Sequence, residues 1–79
     1  MKMKVMNITD IDKFFRTIDR CEGKVELVTD NGDTYNLKSK LGQFASLTKV
    51  YFNGKIPVVE LVTYCPSDVG KIENYMMNS

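Results

Sequence analysis

Seventy-nine residues make one domain, residues 1–79, long enough for a single two-layer core and too short for two. Hydrophobic residues at 43% and charged residues at 27% sit in the ordinary range for globular domains and exclude a disordered chain. Eleven basic residues against ten acidic ones, with no arginine cluster and no lysine run, exclude the basic patch on which nucleic-acid binding depends.

The opening segment MKMKVMNITD lacks the roughly 7 to 15 continuous apolar residues of a secretory leader and the roughly 20 of a membrane span, so a cytoplasmic protein with no membrane partner is expected. Its first residues, KMKVMNI at 2–8, alternate with period two: Met3 and Val5 share one face, Lys2 and Lys4 the other. This predicts a strand.

TDIDKFFRTIDRC follows, with Ile11, Phe14, Phe15, Ile18 and Cys21 at the spacing of a helix with one buried face. Thr9 is the expected cap, Asp10 and Asp12 suit the first turn, Arg20 the last, and Gly23 the position just past the end. KVELVTDNGDTYNLK then reads as a hairpin around Asn31-Gly32 in a type I′ turn, with Val25 and Leu27 on one face and Lys24, Glu26 and Val28 on the other.

From Ser39 the period returns to that of a helix, with Leu41, Phe44, Ala45 and Thr48 as its apolar stripe and Ser39 as N-cap. Gly42 inside it costs about 1 kcal/mol relative to Ala, so a short helix is expected. Residues 48–57 read as an extended loop or short ribbon, with Pro57 at a strand start or edge. VVELVTY is a strand, and Ser67 precedes a terminal helix carrying Val69, Ile72, Tyr75 and Met76 that frays near Ser79. Antiparallel strands with helices on one face form a two-layer α+β domain of order β-α-β-β-α-β-α.

The residues that usually carry chemistry are scarce. Cys21 and Cys65 form no C-x-x-C pair and there is no histidine, so no metal or other cofactor is expected and both cysteines read as buried free thiols. Asp10/Asp12 and Asp30/Asp33 fall at a helix start and a turn, where Asp serves the backbone, and DNGD lacks the distal Glu of a calcium loop. Without an imidazole, Ser and Cys have no base to activate them, and no general base titrates near neutrality, so an enzyme is not expected. Phe44, Tyr51 and Phe52 read as core in preference to an exposed cluster.

This order of elements, with NLKSKLGQFASL after a two-strand hairpin, resembles the histidine-containing phosphocarrier protein (HPr) of the bacterial sugar phosphotransferase system. Family members open their second helix with Lys-Ser-hydrophobic-hydrophobic-Gly and follow it with Ser-Leu; here KSKLG at Lys38 to Gly42 and the pair Ser46 and Leu47 occupy those places. GDTYNLKS and PSDVGKIENYM are similar to the strand before that helix and to the terminal helix, so the resemblance spans residues 13–47 and 58–76. It implies an HPr-like open-faced sandwich with a four-stranded antiparallel sheet.

The departures are as informative. The family's phosphoryl group rides on a histidine within Gly-x-His-Ala-Arg-Pro before the first helix, whereas this chain passes from MNIT to DIDKFF. The resemblance therefore implies a degenerate HPr-like protein that carries no phosphoryl group on histidine and acts by protein contact, as a monomer or weak homodimer. It also implies that Ser39 matches the serine phosphorylated in Gram-positive members, and that Lys40, Leu41, Phe44 and Leu47 match the surface on which partners dock, with Lys40 in place of an apolar residue. Two readings of Ser39 stand, helix cap and regulatory site, and an unrelated small α+β binding or toxin-antitoxin-type module is the alternative to the family. Residues 47–58 are several longer than the family's segment.

Overall fold

Four runs with period-two burial hydrogen-bond into one sheet in the structure, a computed structural model that describes residues 1–78. The elements are β1 (Lys2–Ile8), α1 (Ile11–Asp19), β2 (Val25–Val28), β3 (Thr34–Asn36), α2 (Lys40–Val50), β4 (Ile56–Thr63) and α3 (Pro66–Met77), the order expected. The predicted fraying at Ser79 lies outside the described residues.

The sheet runs β1-β4-β2-β3 with every neighbouring pair antiparallel. Val5, Val25, Leu27, Val59 and Leu61 point to one face and are buried beneath Phe14 and Ile18 of α1 and Ile72 and Tyr75 of α3, joined by Leu37 and Val50. Lys2, Lys4, Met6 and Val58 point to the other face and are exposed. The result is an open-faced two-layer α+β sandwich. Ile8 and Ile56, opposite each other in register, are both buried out of alternation with Val5 and Val59; Asn7, at φ 54°, is where β1 changes face. No helix among the described residues is long and apolar enough to cross a membrane.

Several element ends are set by residues other than those expected. Asp10, not Thr9, caps α1, its Oδ1 accepting from the Lys13 N–H at 3.0 Å. Gly23 does not turn the chain out of α1, because its φ is not positive. Instead Lys38 Nζ donates to the carbonyls of Ile18, Asp19 and Cys21 at 3.2, 3.0 and 2.6 Å, and the Ile18 carbonyl also accepts from the Cys21 N–H at 2.9 Å. Gly23 is small for another reason: a Cβ there would lie 2.8 Å from Cys65 Cβ.

The two Asn-Gly pairs differ as well. Between β2 and β3 only Gly32 has positive φ (86°), the Gly32 N–H donates to Thr29 O and the Thr29 N–H to Asp33 O, so the loop has three residues with glycine at the left-handed position. The two-residue turn of type I′ is at Asn53-Gly54, with φ 53° and 79°, where Phe52 and Lys55 exchange both backbone bonds. Residues 48–57 thus hold the last turn of α2, this tight turn and the start of β4, with Pro57 second in that strand. The start of α3 has Cys65 as N-cap without a side-chain bond and Pro66 at its first position, so Ser67 lies inside the helix.

Candidate functional site

The residues singled out by sequence meet at the amino end of α2. Asn36 Oδ1 accepts from the Lys38 N–H at 3.0 Å and the Ser39 N–H reaches Asn36 O at 3.3 Å, a local turn that delivers the chain into the helix. Ser39 is the N-cap: its Oγ accepts from the Gly42 N–H at 3.4 Å, and the side chain is half-buried. Gly42 is demanded by packing, since a Cβ there would stand 1.9 Å from Asn36 O.

With that close approach α2 turns its apolar stripe outward: Leu41, Phe44 and Thr48 are exposed and Ala45 is half-buried. Gln43, Ser46 and Val50 are the buried residues. Gln43 Nε2 donates to Leu37 O at 2.9 Å and to Asp19 Oδ1 at 3.0 Å, and Ser46 Oγ donates to Gln43 O at 2.8 Å, so the polar interior is fully bonded. Leu41 is left 82% exposed and Phe44 71%. Tyr51 and Phe52 are also exposed, so none of the three aromatics expected in the core is buried.

Lys40 turns away from this apolar front and pairs with Asp19 at 2.8 Å. The Lys40 hydrogen bond holds the Asp19 carboxyl below its ordinary pKa, against a smaller upward push from burial and with help from Gln43. This pair and Gln43 fasten α2 to the end of α1.

Between the two helices runs a shallow groove of about 290 Å³, with Phe44 and Leu47 on one wall and Ile11 and Phe15 on the other, rimmed by Asp12, Arg16 and the Asp19–Lys40 pair. Of the expected docking residues, Lys40, Phe44 and Leu47 line the groove, and Leu41 stands outside it on the same helix. The α1 wall is hidden in the sequence because its apolar stripe assigns Ile11 and Phe15 to the core; they are half-buried, at the edges of a stripe whose centre is Phe14 and Ile18. Their i, i+4 spacing is the signal that places them together on one flank.

A second cluster is structural. Glu22, Cys65 and Asp68 offer ligand atoms within 4.8 Å of one another. Asp68 is buried, and its oxygens accept from the Glu22 and Gly23 N–H groups at 2.8 Å each and from Lys71 at 3.2 Å. Burial pushes its carboxyl up, but those two N–H groups and Lys71 outweigh burial and leave its pKa below the ordinary 3.8. The carboxylate ties α3 to the α1–β2 connection. Cys21 is buried as expected and burial raises its thiol pKa, whereas Cys65 is half-buried; both are free.

No protein-family model matches the chain, and no curated protein or solved structure matches it significantly.

Proposed function

We propose that this chain is a non-catalytic HPr-like protein that acts by protein–protein contact, in a regulatory or accessory role beside phosphotransferase-type systems. The observation that carries the reading is the outward apolar front of α2, Leu41 and Phe44, at the positions that the resemblance assigns to partner docking. An apolar residue exposed on a helix whose interior face is filled by Gln43 and Ser46 contributes little to the fold and is available to a partner. The β-α-β-β-α-β-α order and the Lys38 to Gly42 match support the same reading.

A chain without histidine has no imidazole on which to carry a phosphoryl group. Ser39 remains the family position open to modification, and a phosphate there would sit at the positive end of an 11-residue helix. It would also displace the cap bond to Gly42 and compete with Asp19 for Lys40.

Incubation with phosphoenolpyruvate, enzyme I and authentic HPr tests this. The chain is expected to take up no phosphoryl group and, in excess, to slow transfer to HPr, with Phe44→Ser abolishing the inhibition. Phosphorylation of the chain by enzyme I, or unimpeded transfer to HPr, sinks the reading. In a separate reaction with HPr kinase, phosphate found by mass spectrometry on residues other than Ser39 removes the regulatory role.

A further inference from the structure

We propose that the α1–α2 face seats a second copy of this chain, as a reversible two-fold homodimer. The inference rests on the reading of that face as a docking surface and names its occupant from the charges on its rim. Asp19 and Lys40 already satisfy each other at 2.8 Å. Asp12 and Arg16 line the same groove one helical turn apart, and neither enters an ion pair with any described residue. The groove thus presents one charge of each sign outside any ion pair within 4 Å, i and i+4 neighbours about 6 Å apart along α1.

A partner of a single sign would match one of them and oppose the other. A second copy with its α1 running antiparallel matches both, because a two-fold axis between the two residues sets each Arg16 against the Asp12 of the other copy. The same operation brings each Phe44, 71% exposed on the α2 wall, over the other copy's groove, where Phe15 and Leu47 supply apolar contact. On the free face of the sheet Lys24 and Glu26 are paired with each other at 3.4 Å, and Lys4 stands opposite Glu60 in register.

Sedimentation velocity on the full chain from about 10 μM to about 1 mM, the span in which small interfaces dissociate, is the experiment. The wild type is expected to rise toward twice the monomer mass. Arg16→Asp and Asp12→Arg, both outside the buried core, are each expected to weaken the dimer at least about tenfold with unchanged circular dichroism, since each creates two like-charge contacts. An equimolar mixture of the two variants restores both opposite-charge contacts and is expected to recover the wild-type mass. A monomeric wild type at the highest concentration, single variants that dimerise like wild type, or a mixture no tighter than its components overturns the proposal. Should the wild type stay monomeric while Phe44-dependent inhibition of transfer to HPr persists, the homodimer falls and the docking function stands. Dimerisation without such inhibition upholds the homodimer and removes the docking function.

Discussion

Helices α1 and α2 lie side by side over the same sheet, yet they spend their apolar residues in opposite directions. In α1, Phe14 and Ile18 are sealed in the core and Phe14 packs its ring 5.7 Å from Tyr75. In α2, the core side is Gln43, Ser46 and a glycine backed onto Asn36, while Leu41 and Phe44 face solvent. The fold therefore draws on α1 for buried area and on α2 for directed hydrogen bonds and close backbone contact. In both helices the core centre and the groove wall are different side chains; what differs is that the centre is apolar in α1 and mostly polar in α2.

Truncating one phenylalanine on each helix separates the two most directly. Phe14→Ala is expected to cost roughly 4 kcal/mol in urea unfolding, a large share of the stability of a domain this small. Gly42→Ala follows at roughly 3 kcal/mol, far beyond the helix-propensity gain, because the new Cβ meets backbone and not a movable side chain. Removing the lysine that closes α1, as Lys38→Met, strips donors from three carbonyls and is expected to cost about 2 kcal/mol. Phe44→Ser should change stability by no more than about 0.5 kcal/mol while abolishing docking. A Phe44 cost approaching that of Phe14 would erase the distinction between the helices.

Asp68 adds a pH axis on the third helix. Its carboxyl is held below the ordinary 3.8, so its contribution is complete above that pH and is lost as pH falls through the folded-state value, where the folded chain also becomes protonated. Asp68→Asn is expected to be the less stable chain near neutrality and to converge on wild type in acid below about pH 4. A stability gap that stays constant into acid contradicts the assignment.

The fold is legible in the sequence where a residue's role depends on near neighbours. Period-two runs place β1, β2 and β3, a β-rich run places β4, and the stripe of α1 places its buried centre. Legibility ends where two elements decide together. The stripe on α2 has helical spacing, and nothing in that spacing says whether the core or a partner covers it; the answer lies in the contact between Gly42 and Asn36. Capping is ambiguous for a related reason, since Thr9 and Asp10, or Ser67 and Cys65, compete one or two positions apart. At α1 the winner is the side chain that reaches an N–H; at α3 Pro66 starts the helix and Cys65 makes no side-chain bond. The type I′ turn falls at the second Asn-Gly pair because the dipeptide favours that turn only where strand register leaves two residues to connect, as between Phe52 and Lys55. Of the candidate site, the Ser39 cap is legible and the groove is not, because α1 contributes half of it.

Strand β4 lies between β1 and β2, and β1 has no other partner in the sheet. The earliest strand along these residues can form no ladder until residues 56 to 63 arrive, so assembly must close a long loop before the sheet rewards it. Such a chain is expected to fold in milliseconds to seconds and not in microseconds, with the β2–β3 hairpin available early as a local nucleus and β1 exposed as an apolar edge in the interval. A fragment ending before β4 would hold its docking helix and nine of the fourteen buried hydrophobic residues, with only the β2–β3 hairpin to mount them on.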